Sequence, residues 1–159
     1  MAIFTATFSA VAVSAEQDVF ELVAHASTRV AIREVRLGQY TDFGDAAAEI
    51  LSVQIIRGYT TSGSGGAAVT PANISSHSGA KTAVSTVERN NTTVATAGTA
   101  VILVSDVFNV QAGWWYRPGD DERIIVDNSS RVVVRITVPA DALTMNGTLV
   151  FEEVGQMLP

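Results

Sequence analysis

At 159 residues and 47% hydrophobic, the chain is long enough to close one hydrophobic core without staples. It contains no cysteine, which excludes disulfides, thiolate metal sites and cysteine nucleophiles. The net charge is −6, and the ten basic residues, nine Arg and Lys81, form no basic stripe; nucleic acid is therefore not an expected partner.

Val, Ile and Thr are abundant, and branched side chains suit a pleated sheet. Residues 3–13 alternate at period two, with Phe4, Ala6, Phe8 and Ala10 in one phase, then Val11 and Val13 in the other. That slip predicts a bulged strand. The first fifteen residues are apolar but lack a basic leading segment, so a strand is expected there rather than a secretory leader. No apolar run approaches the ~18 residues a membrane span needs, and no membrane partner is expected.

A short strand is predicted over 18–24. Another follows over 27–39, with a bulge near Arg33 and Glu34 where its apolar phase changes. Residues 40–48 read as a loop with one helical turn over Ala46 to Ala48. Strand returns over 49–57, with Leu51, Val53 and Ile55 in phase. Residues 58–100 break the composition: they are rich in Gly, Ser and Thr, and carry TTSGSGG at 60–66. This long stretch is expected to leave the domain body from one end as an excursion.

The densest strand signal lies in 101–153, which holds both tryptophans. Alternation puts Phe108, Val110, Ala112, Trp114 and Tyr116 on a core face, and Trp115 and Arg117 on the wet one. Residues 131–138 set Val132, Val134, Ile136 and Val138 on one face. Arg131, Val133, Arg135 and Thr137 lie on the other. Turn chemistry at 118–121 and 127–130 brackets a short strand over 123–126. Asn146-Gly147 reads as a turn into a last strand over 148–154. The whole is one all-β domain over 1–159, a jelly-roll-like β-sandwich with the 58–100 excursion.

No catalytic, cofactor or metal residue is assigned, and the chain is not expected to be an enzyme. His25 and His77 stand alone, without metal-ligand spacing. No Ser occupies a G-x-S-x-G elbow. Gly63-Ser64-Gly65-Gly66 lacks the Lys-Ser/Thr of a phosphate loop and reads as a flexible loop. Asp42 with Asp45, and Asp120-Asp121-Glu122, read as turn carboxylates rather than a calcium site. Trp115 is the most suggestive side chain: an interface anchor, a covered aromatic or a sugar platform.

Several segments carry a family resemblance: REVRLGQ (33–39), GDAAAE (44–49), RGYTTSGSGG (57–66), STVERNNTT (85–93), DVFNVQAGWWYRP (106–118) and PADALTMNGTLVFEEVG (139–155). The chain resembles small β-sandwich proteins encoded beside the virion genes of tailed bacteriophages and prophages. The resemblance implies a virion protein made in the host bacterial cytoplasm. By analogy it implies a capsid decoration (cement) protein on the outer capsid surface, a homo-oligomer with a trimer favoured, bound to the major capsid protein without a cofactor. Candidate contact residues are Trp115, Arg117, Arg131, Arg135, Tyr59 and Ser64. The alternative is a carbohydrate- or receptor-binding module of a tail or fibre, carried by Trp115 and Tyr116 with nearby carboxylates.

Overall fold

The computed structural model describes residues 2–40, 49–77, 79–137, 139–140 and 142–155. Among them run twelve strands: β1 (Ala2–Val13), β2 (Gln17–Val23), β3 (Thr28–Gln39), β4 (Ile50–Thr61), β5 (Ala67–Val69), β6 (Ala72–Asn73), β7 (Thr86–Asn91), β8 (Thr96–Asn109), β9 (Trp114–Tyr116), β10 (Ile125–Val126), β11 (Arg131–Ile136) and β12 (Leu143–Gly155). One 3-10 turn, Asp120–Glu122, sits between β9 and β10.

The strands form two antiparallel sheets packed face to face. The first runs β10-β3-β12-β1-β6, with β9 also paired to β3; the second runs β5-β7-β2-β11-β4-β8. From β1 to β4 the chain crosses between sheets at every step, and β11 and β12 cross again. This places β10-β3-β12-β1 over β2-β11-β4-β8, the nested arrangement of a jelly roll.

The core fills from the expected phases. Phe4, Phe8, Ile32, Val35, Leu51, Val53, Ile55, Val132, Val134, Ile136, Leu149 and Phe151 are buried between the sheets. Two ring pairs knit the core: Phe4 with Phe151 at 5.6 Å across the β1–β12 ladder, and Phe8 with Phe20 at 5.1 Å from one sheet to the other, both between centroids. Both expected bulges are present. The β1 register shifts between Phe8 and Val11, with Ala10 at φ 53, and β3 shifts against β12 at Arg33, between Glu34 and Ile32.

The excursion is different in kind from the expectation. β4 continues to Thr61, β5 and β7 widen the second sheet, and β6 adds to the edge of the first. Apolar residues too sparse to show a period, such as Val87, are enough to dock these short strands on an existing edge.

Three local readings are also corrected. β8 ends at Asn109, and a turn carries the chain through Gly113 (φ 73) to β9, which leaves Ala112 exposed. Val133 is buried on the far face of the second sheet, in a small cluster with Ile56 and Ala95. Asn146-Gly147 lies inside β12 rather than at a turn. There the Asn146 Oδ1 accepts the Ala10 N–H at 2.7 Å, closing the β1 bulge, and Gly147 makes room for the Phe8 and Phe20 rings. Val138 and the 41–48 segment, with Asp42, Asp45 and the expected turn over Ala46 to Ala48, lie outside the described residues.

Candidate functional site

Three surfaces stand out: a sealed ionic patch on the outer face of the second sheet, an apolar rim along β8, and an open trough beside Trp115.

The ionic patch joins β2 to β11. Asp18 and Glu21 are 0% and 1% exposed, yet both face away from the core. Arg135 donates from Nε to Asp18 Oδ1 at 2.7 Å and from Nη2 to Oδ2 at 3.2 Å. Arg131 pairs with Glu21. Tyr59 joins them: its hydroxyl accepts from Arg135 Nη1 at 3.0 Å, its carbonyl accepts from Arg131 Nη1 at 3.2 Å, and its ring lies 4.9 Å from the Arg135 guanidinium.

The remaining oxygens take donors from the excursion. Glu21 accepts the Ser62 hydroxyl at 2.6 Å, the Gly63 N–H at 2.9 Å and the Asn91 amide at 2.9 Å. Asp18 Oδ2 accepts the Ala95 N–H at 2.7 Å. Burial pushes the Asp18 carboxyl above its usual value, opposed by the bonds from Arg135 and Ala95.

The segment read as a flexible glycine loop is therefore a packed lid on these charges. A side chain on Gly63 or Gly66 would collide with Thr93, Asn91 or Arg89, and Ser64 bridges Thr93. Arg131, Arg135 and the Tyr59 hydroxyl, expected to face a partner, are turned inward to this network. Sequence reading missed Asp18, Glu21 and Asn91. The legible signal was two acids on one strand matching two arginines on another.

A smaller patch pins the segment after β9 to the first sheet. Glu152, 2% exposed, pairs with Arg33 and with Arg123. Asp120 pairs with Arg123, while Asp121 and Glu122 lie in the exposed 3-10 turn. Both histidines are exposed; His25 Nδ1 is 2.8 Å from the Ser27 hydroxyl. Among the described residues no group of three or more His, Asp or Glu is placed to hold a metal ion.

The β8 rim is the outer strand of the second sheet, with β4 as its neighbour. Residues 96–105 carry no charge. Ile102 and Val107 are 54% and 63% exposed, and Ile50 on β4 is 70% exposed. Register shifts between Ile55 and Ile56 and between Arg57 and Tyr59 break the β4–β8 ladder.

The trough lies on the outer face of the first sheet. β9 pairs with β3 so that Trp115 stands opposite Arg36, while Trp114 turns inward and its indole N–H donates to Asp106 at 3.0 Å. Trp115 is 60% exposed, and the Arg117 guanidinium lies 5.9 Å from its ring. A hollow of about 350 Å³ beside Trp115 is bounded by Arg36, Gly38, Gln111 and Gly113. A second, of about 260 Å³, shares Arg36, Leu37 and Gly38 and is bounded beyond by Asn146 and Thr148. Of the six residues singled out from sequence, the structure thus exposes Trp115, Arg117 and Ser64.

These features define a single-domain jelly-roll β-sandwich with sealed charges and two open surfaces. No family model matches the chain, and no curated protein matches it. Among solved structures, the chain is similar to one from a single-particle study of the three-dimensional structure of Maize Chlorotic Mottle Virus. That likeness covers 100% of this chain and 97% of the other, at 12% identity and a TM-score of 0.30. At that level it assigns neither a fold nor a role.

Proposed function

We propose that this chain is a non-enzymatic structural protein of a tailed-phage particle: a decoration subunit on the outer capsid surface, arranged as a trimer and bridging copies of the major capsid protein. The observation that carries this reading is the β8 rim. Its exposed Ile102 and Val107, with Ile50 on the neighbouring strand, form an apolar border on an acidic protein. An exposed strand of this kind is ordinarily covered by another chain. The resemblance to phage virion proteins, spread over most of the sequence, supplies the context.

The mechanism is physical. A subunit that binds the assembled shell better than free capsid protein adds its binding free energy to the stability of the shell. Many copies, each spanning neighbouring capsid subunits, multiply a modest contact into a firm one. The sealed ionic patch suits the role, because it fixes the excursion against the sheet and presents the rim on a rigid frame.

Co-sedimentation with capsids lacking the protein tests this reading. The parent chain should bind to saturation. Ile102→Lys with Val107→Lys should lose binding while the fold, read by circular dichroism and thermal melting, is kept. Undiminished binding of that variant removes the rim from the mechanism.

A further inference from the structure

We propose that the trough between Trp115 and Thr148 is a binding site for an acidic saccharide. This goes beyond the decoration role. It stands on the outer face of the first sheet alone and holds whether or not the chain sits on a capsid.

The argument starts from Gly38. It lies within β3, paired with Asn146 of β12, and its backbone is not in the left-handed region. A Cβ there would meet no atom within 4 Å. Neither backbone geometry nor packing calls for glycine, and glycine weakens a strand that a branched residue would strengthen. Gly147, one residue along the partner strand, is the contrast: a side chain there would strike the Phe8 ring. What the bare Gly38 provides is an open floor joining the two hollows, the usual sign in a strand that something approaches the backbone closely.

The walls specify what approaches. The Trp115 indole is a broad, flat apolar surface, complementary to the C–H face of a pyranose ring. Gln111, the Asn146 amide N–H₂ and the Thr148 hydroxyl are hydrogen-bonding groups around the floor. Charge decides the class. On a chain of net charge −6, no carboxylate among the described residues lines either hollow, while Arg36 lines both and Arg117 sits over the indole. Arg36 pairs with the half-buried Glu34 at 2.6 Å, but its own side chain is 56% exposed and keeps further N–H donors for a ligand carboxylate. Arg117 has the Trp115 ring as its neighbour and offers a two-pronged donor to a sugar carboxylate. Single-stranded nucleic acid also stacks on indoles, but two arginines on an acidic protein are a poor electrostatic track for a phosphate backbone.

Trp fluorescence and calorimetric titration of the full chain test the site. The probes are hexuronate, sialic-acid and neutral hexose oligosaccharides of equal length, with a short oligothymidylate alongside. Saturable binding to the acidic sugars is expected. Trp115→Ala should abolish it, and Arg117→Gln should weaken it about tenfold or more, the scale of one charge-assisted hydrogen bond. Gly38→Val should also abolish binding while melting at or above the parent temperature, a combination no damage to the fold produces. No saturable binding across the acidic panel overturns the inference. So does equal binding of neutral sugars, preference for the oligonucleotide, or full binding by Gly38→Val.

Discussion

Arg135 and Asp18 meet in a two-point ion pair on the outward side of the second sheet, sealed under Tyr59 and Ala95. Two charges removed from water hold together because Asp18 Oδ2 also accepts the Ala95 N–H, and Arg135 also donates to the Tyr59 hydroxyl and the Ala95 carbonyl. Breaking one side is therefore costly. Arg135→Met should destabilise the fold by about 3–5 kcal/mol, while Arg135→Met with Asp18→Leu should recover most of that loss. Urea unfolding of the single and double variants measures the difference.

The same pair sets a pH dependence. The folded-state value of Asp18 is raised by burial, so the folded chain holds this proton more tightly than the unfolded one. Its contribution to stability is full below the ordinary aspartate value and is lost as pH rises through the raised one. Stability profiles from pH 3 to 8 should show this falling component in the parent chain and lack it in Asp18→Asn. A component rising with pH at this site contradicts the assignment.

Asp106 behaves in the opposite sense. The Trp114 indole N–H and the Val107 N–H hold its carboxylate below the usual range. Its contribution is present above the ordinary aspartate value and disappears as pH falls through the depressed one. In a Trp115→Phe background, the Trp114 emission should titrate with a midpoint below that of an ordinary aspartate. Asp106→Asn should abolish the transition.

Two glycines on paired strands should respond in opposite ways. Gly147→Ala puts a methyl into the Phe8 and Phe20 rings and should cost about 1–3 kcal/mol, as overpacking does. Gly38→Ala fills open space and should stabilise by roughly 0.5–1 kcal/mol. Thermal melting of the two variants separates them.

Glu21 anchors the excursion. Glu21→Gln weakens the pair with Arg131 and the bond from the Gly63 N–H. Hydrogen exchange at Gly63 should accelerate more than at Leu149 in the core. Equal protection at both in the variant would show that the lid does not depend on this carboxylate.

The sandwich was legible because period two is a direct consequence of strand geometry. Leu51, Val53 and Ile55 fell in phase, and even the slips at Ala10 and Arg33 showed as phase changes. Asn146-Gly147 misled because the dipeptide that suits a tight turn also suits a bulge cap beside a glycine crowded by aromatic rings. The 58–100 stretch misled for a related reason: Gly63 and Gly66 serve close packing against Asn91 and Arg89 rather than freedom. Trp115 was placed on the wet face by alternation alone. That Arg131 and Arg135 turn inward was hidden, since alternation gives a face but does not say that another part of the chain covers it.

The measurement that bears most directly on the proposed role is copy counting by quantitative mass spectrometry of purified phage particles, normalised to the major capsid protein. A decoration subunit should be present in a fixed ratio to capsid protein, in numbers that cover the head. A handful of copies would place the chain at a tail or vertex instead, and its absence from the particle would contradict a virion role outright.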